Sequence, residues 1–222
     1  MEKTTVPDIV VSRLPRYLQA LEHMHREGVN KTSSQELGEA IGISAAQIRK
    51  DLSQFGEFGK QGTGYSVPYL VDQLQTILNL DKSWDLALIG MGDLGNALAR
   101  YQGFVRHGFR IAAIFDIDPE KIGKEICGLT VQDMIHLPDE ICAKGIRIAM
   151  LTVPASVAQQ VAELLIQAGI RSILNYAPIS LNLPAEVHVE NIDPILKLRH
   201  MTFYLNKETQ PNHFINKPGF KS

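Results

Sequence analysis

Gly90, Gly92 and Gly95, in the run Gly90-Met91-Gly92-Asp93-Leu94-Gly95, have the G-x-G-x-x-G spacing that lets a backbone close around a pyrophosphate. The apolar run Trp84 to Ile89 precedes them and the helix-forming Asn96-Ala97-Leu98-Ala99-Arg100 follows, so the motif lies between a strand and a helix. Gly90 permits the tight turn, Gly92 admits backbone N–H groups to the anion, and Gly95 lets the helix approach the strand. The helix N-terminus then faces the phosphates. A second apolar run, Arg110 to Phe115, ends in Asp116, placed to receive the adenosine ribose hydroxyls. Ile117 and Asp118 follow with no arginine beside the acid, so a 2′-phosphate is repelled and the expected ligand is NAD(H) rather than NADP. A doubly wound sheet that binds no nucleotide is the alternative.

The surrounding chain has to position these residues. At 222 residues, 45% apolar and 21% charged, it can bury a core as one large or two small domains. No run approaches the roughly twenty apolar residues of a membrane span, and Met1 to Asp8 lacks a signal-peptide core, so a cytoplasmic protein is expected. Cys127 and Cys142 have neither C-x-x-C nor metal-ligand spacing and read as ordinary thiols. The seven histidines include no H-E-x-x-H pattern, so no metal is expected.

Residues 1–80 read as a separate domain. Leu14, Tyr17, Leu18, Leu21 and Met24 recur at helical spacing between Pro15 and Gly28. Ser33 with Glu36 forms a capping box, Gly42 breaks that helix, and Ser44 with Gln47 forms a second box opening Ala45 to Leu52. Two short helices around a glycine turn make a helix-turn-helix. The glycine-rich stretch Phe55 to Tyr65 then reads as the β-ribbon wing of a winged helix. Ser44, Gln47, Arg49 and Lys50 would face a DNA major groove, with Lys31 and Lys60 on the backbone. The domain carries eight Lys/Arg against nine Asp/Glu, so total charge does not announce nucleic acid. Position does: Arg49, Lys50 and Lys60 surround the reading helix, whereas Glu22, Glu27, Glu36 and Glu39 sit in the supporting helices. The alternative is a small helical packing domain.

A short helix, Tyr69 to Leu80, links this domain to the next. Residues 81–192 continue as a Rossmann-type parallel sheet. Asp118-Pro119 is expected to cap a helix, strands follow at Ile146 to Thr152 and Ile170 to Leu174 around a helix from Ala155 to Ala168, and Val187 to Ile192 closes the sheet. The loops Thr152-Val153-Pro154 and Asn175 to Pro178 lie at strand ends, where they should flank the nicotinamide. Only residues 193–207 and a polar end remain. That helix carries Ile195, Leu196, Leu198, Met201, Phe203 and Leu205 around much of its circumference and needs burial. It inserts into a partner subunit, giving a homodimer, or packs back on its own sheet. Residues 208–222 read as a mobile tail.

Taken together, the chain from about residue 9 to residue 207 resembles the Rex family of redox-sensing transcriptional repressors. The likeness rests on Arg13-Leu14-Pro15-Arg16-Tyr17-Leu18, on Gln47 to Lys60 (Gln-Ile-Arg-Lys-Asp-Leu-Ser-Gln-Phe-Gly-Glu-Phe-Gly-Lys), and on the glycine motif. The resemblance implies a winged helix on an inverted-repeat operator, a Rossmann domain holding NAD(H), a C-terminal helix exchanged within a homodimer, and release from DNA by NADH, with NAD+ competing. It also implies that Arg16, Tyr101 and Asp193 form a switchable polar network. Pro194 departs from some relatives, which carry an aromatic residue there. A small NAD-dependent oxidoreductase with a helical packing domain is the alternative function, but a second domain supplying a His or Lys acid is missing from the pattern.

Overall fold

Helix caps and apolar spacing build the first of the two units into which the chain divides, Met1–Ser83 and Trp84–Ser222. The structure is a computed structural model that describes residues 6–58 and 64–205. Lys60, in the expected wing, and the expected tail lie outside the described residues.

In the first unit a short α1 (Asp8–Val11) precedes α2 (Leu14–Arg26), followed by β1 (Lys31–Thr32), α3 (Ser34–Ile41), α4 (Ala45–Leu52), β2 (Tyr65–Ser66) and α5 (Val67–Ile77). The stripe Leu14, Tyr17, Leu18 and Leu21 of α2 is buried with Leu37 of α3, Ile48 and Leu52 of α4, and Leu70 and Leu74 of α5. Ser33 caps α3 in a reciprocal box, its Oγ accepting from Glu36 N at 3.1 Å while Glu36 Oε2 accepts from Ser33 N at 2.7 Å. Gly42 closes that helix at φ +71°. Ser44 caps α4 from one side only, because the Gln47 side chain turns along the helix to Asp51 instead of back to the cap. The second capping box is therefore half formed. β1 pairs antiparallel with β2, so the one strand at the end of the expected wing, Tyr65–Ser66, takes its partner from Lys31–Thr32 ahead of α3, and residues 55–58 form no strand. α5 begins two residues earlier than the apolar spacing suggests, since Pro68 suits the first turn.

The second unit is a seven-stranded sheet in the order β5-β6-β4-β3-β7-β8-β9. Its elements run β3 (Trp84–Ile89), α6 (Asp93–Ala99), α7 (Gly103–Arg106), β4 (Phe109–Asp116), β5 (Glu125–Ile126), β6 (Leu129–Asp133), α8 (Leu137–Lys144), β7 (Ile148–Leu151), α9 (Ala155–Gln167), β8 (Ser172–Asn175), β9 (His188–Asn191) and α10 (Pro194–Leu205). All neighbours pair parallel except β5 with β6. The chain winds outward from β3 through β4 to β6, then returns to the other side of β3 at β7. That reversal opens a crevice at the C-terminal ends of β3 and β7. Ala87, Ile89, Phe115 and Leu151 pack toward α8 and α9, and the alternate residues Leu86, Leu88, Ile114 and Met150 pack toward α6 and α7.

A further expectation is corrected here. Asp118-Pro119 does not start a helix: Asp118 O accepts from Lys121 N and Ile122 N for a single turn, and Gly123, at φ +83°, diverts the chain into the β5–β6 hairpin. The hairpin loop is Cys127-Gly128, both at positive φ, the geometry of a two-residue primed turn. Of the two placements open to α10, packing back on its own sheet is not the one seen. Its apolar side chains are exposed from end to end, from 52% at Ile195 to 67% at Leu205.

Candidate cofactor cleft and nucleic-acid interface

β3 delivers the glycine motif into the crevice. Gly90 holds φ +93°, and a side chain there would press on the Thr152 carbonyl. A methyl group on Gly95 would overlap the Gly90 carbonyl, so this position needs glycine for close packing of α6 on β3. Gly92 differs from both: a methyl group there meets no protein atom within 4 Å. Its side faces open cleft. Asn96 holds the turn from the helix side, its Nδ2 donating to Met91 O and Gly92 O at 3.0 Å each.

Thr152 locks the turn from the neighbouring strand. Its Oγ1 lies 2.7 Å from Gly90 O and 2.9 Å from Ile89 O, so the hydroxyl serves the motif's backbone. Pro154 caps α9, and Thr152, Val153 and Pro154 together form one wall of a cavity of about 650 Å³. Gly90, Gly92, Asp93, Leu94 and Asp116 line the same cavity, while Met91 and Gly95 stand behind it in the packed turn. Val157, Val161 and Leu164 of α9, with Ile117 and Met134, give it an apolar side, and Tyr176 also lines it. The volume and mostly apolar lining suit a small-molecule site. The crevice is thus open where a pyrophosphate would approach and acidic where a ribose would lie.

Asp116 is 7% exposed. Its Oδ2 accepts from Met91 N at 2.6 Å and from Lys121 Nζ at 3.2 Å, and its Oδ1 accepts from Asp118 N at 2.9 Å. Burial would raise this carboxyl, but the two backbone amides and Lys121 outweigh it and hold the pKa below the usual carboxylate range. The acid stays charged. Lys121, Met134 and Val157 escape the sequence reading because the cleft assembles them from separate elements with no shared spacing, whereas Tyr176 belongs to the Asn175 to Pro178 loop expected there.

In the first unit, Ser44, Arg49 and Lys50 are exposed on α4, and Lys31 is exposed on β1. Arg49 Nη1 donates to Ser34 Oγ at 2.8 Å across the turn between α3 and α4. Gln47 is half-buried and donates to Asp51 Oδ1 at 2.7 Å. Asp51 itself was missed. It is fully buried and accepts from Arg13, Tyr17 and Gln47, and its position three after Ile48 and one before Leu52 was the signal, since that spacing points it inward.

The remaining expected switch residues have local roles. Arg16 Nη2 donates to Ile41 O at 2.9 Å on the first unit's surface. Tyr101 is 60% exposed and packs edge-on against Phe104 at 5.1 Å, over Gly103, where a side chain would overlap its ring. Asp193 Oδ1 accepts from Ile195 N at 2.8 Å and so caps α10, with Pro194 opening the helix.

Among known proteins, the family description "CoA binding domain" matches residues 81–179 and "Putative DNA-binding protein N-terminus" matches residues 5–53. A redox-sensing transcriptional repressor Rex from Chloroflexus aurantiacus is 51% identical over 211 residues, covering 95% of this chain and all of that protein. The chain belongs to the Rex family. A crystal structure of RSP in complex with β-NAD+ and operator DNA matches with a TM-score of 0.87 at 42% identity, covering 93% of this chain and 95% of that one. RSP in complex with β-NADH matches at 0.84 and 40%, covering 93% and 97%. Rex-family membership accounts for a helix-turn-helix unit and a Rossmann sheet in one chain. Among the described residues no helix is long and apolar enough to cross a membrane, and no group of three His, Cys, Asp or Glu could hold a metal.

Proposed function

We propose that this chain is a homodimeric, cytoplasmic transcriptional repressor that binds an inverted-repeat operator through its first unit and is released when NADH occupies the cleft of the second. The observation that carries this is the match to RSP across both units, since that protein is recorded with NAD+ and operator DNA and with NADH. The cleft suits the ligand: Gly92 leaves room for a pyrophosphate, and Asp116 is held ionised beside a cationic lysine. The apolar wall favours a neutral dihydronicotinamide over the cationic oxidised ring, which costs more to desolvate.

Within this reading Gly90, Met91, Gly92, Asp93, Leu94, Gly95, Asp116, Thr152, Val153 and Pro154 hold or shape the cofactor. Thr152 acts through the Gly90 carbonyl. Lys31, Ser44, Gln47, Arg49, Lys50 and Lys60 form the DNA face, with phosphate contacts dominating affinity. Arg16, Tyr101 and Asp193 couple cofactor to DNA, and α10, apolar and exposed in one chain, supplies the dimer contact. The chain acts as a sensor and not as an enzyme, because a sensor must leave its ligand unchanged.

To test this, operator affinity is titrated with no cofactor, with NAD+ and with NADH. Weakening by NADH and not by NAD+ is expected. Equal affinity in all three would remove the redox reading. A full reversal from 1:99 to 99:1 requires NADH to favour the released state by about 5.5 kcal/mol.

A further inference from the structure

The ribose acid carries a partner that the sequence spacing did not disclose. Lys121 stands in the turn after β4, its Nζ 3.2 Å from Asp116 Oδ2 and 3.5 Å from Asp118 Oδ2, with its side chain 35% exposed on the cleft wall. A carboxylate offers about four lone-pair positions. Asp116 commits three of them, to Met91 N, Lys121 Nζ and Asp118 N, which leaves room for one incoming hydroxyl at Oδ1. A ribose diol presents two hydroxyl groups. The ammonium has three N–H donors and faces the same cavity.

We propose that Lys121 is a specificity-determining residue of the adenosine end: it donates to the ribose oxygen that Asp116 cannot serve, and its charge offsets the repulsion that Asp116 and Asp118 exert on a 2′-phosphate. This inference rests on the NAD(H) reading of the cleft. It revises the expectation of a site guarded by an unopposed acid, because a cation stands beside both carboxylates on the cleft wall. The site therefore prefers NADH by the balance of two carboxylates against one lysine, and removing one member moves the preference in a direction its charge dictates.

The test measures NADH and NADPH affinity by cofactor fluorescence on the full chain and its variants. Lys121→Met keeps the stem and removes the charge, so NADH should weaken about tenfold and NADPH by clearly more. Asp116→Asn should narrow the NADH preference, and adding Lys121→Met to it should abolish that gain. Lys121→Arg retains the cation and should keep NADPH within a few-fold of the unmodified chain, which preserves the test if Lys121→Met folds poorly. An NADPH-to-NADH ratio unmoved by Lys121→Met would overturn the proposal, leaving the lysine as a brace for Asp116. Failure of the unmodified chain to bind NADH would instead overturn the cofactor reading itself.

Discussion

Arg13 grips Asp51 with two hydrogen bonds, Nε to Oδ2 at 2.6 Å and Nη2 to Oδ1 at 2.8 Å, and this pair fastens α4 to the start of α2. Tyr17 adds its hydroxyl to the same carboxylate at 2.6 Å. A fully buried acid with three side-chain donors has one geometry available, so the helix proposed to read DNA is set rigidly on the supporting helix.

Asp51→Ala should destabilise the first unit by about 3 kcal/mol, the low end for a broken buried pair because Arg13 keeps some access to water. Burial alone would raise the Asp51 carboxyl, but hydrogen bonds from Arg13, Tyr17 and Gln47 prevail and hold it below its ordinary value. A depressed pKa contributes stability that is present above the unfolded-state value and lost as pH falls through the folded one. Tyr17, pushed up to about 12 chiefly by burial, adds a loss at the alkaline end, from about 10 upward. Denaturant unfolding across pH should show both limbs, and Asp51→Ala should flatten the acid one.

Gly92→Ala and Gly95→Ala separate ligand space from packing. A methyl on Gly92 meets no protein atom, so thermal stability should hold to within about 0.5 kcal/mol while NADH binding is lost. Gly95→Ala drives a methyl into the Gly90 carbonyl and should destabilise the second unit before any ligand is added. NADH binding by Gly92→Ala at unmodified affinity would displace the pyrophosphate from this turn.

Arg49→Ala and Lys50→Ala should each lower the salt slope of operator binding by about 0.9 if each neutralises one phosphate, with NADH affinity unchanged. Arg49 is tethered to Ser34, so Ser34→Ala should reproduce part of the Arg49 loss by freeing the guanidinium. Operator titrations at several salt concentrations decide it; slopes equal to the unmodified chain's would take both residues off the DNA face.

Asp193→Ala should uncouple the sites: NADH still binds, and the operator complex loses much of its sensitivity to it. Asp193 also caps α10, so Asp193→Ser, which restores a cap without the charge, is the control. If the serine variant responds to NADH like the unmodified chain, the cap and not the charge is what matters.

Local chemistry was legible in the sequence and long-range assembly was not. The glycine turn, Asp116 at a strand end and the Ser33 box each depend on neighbours a few residues apart, and each takes the geometry its spacing dictates. Asp118-Pro119 looked like a helix start because it satisfies the first-turn rule, and Gly123 overrides it five residues later. The β5–β6 hairpin was hidden because Cys127-Gly128 occupies a turn usually marked by Asn-Gly or Asp-Gly. Gln47 was read as facing outward, but its amide bonds Asp51, a residue that sequence charge alone would leave in solvent. Lys121 reached the cleft through that same unforeseen turn.

The exposed circumference of α10 carries a consequence for dosage. If α10 pairs with a second copy as proposed, covering Ile195, Leu198 and Met201 adds stability by mass action, and the melting temperature should climb as the protein is concentrated. At low copy number the unpaired helix would be a hydrophobic flag for proteases, and the pool of repressor would then fall faster than its synthesis.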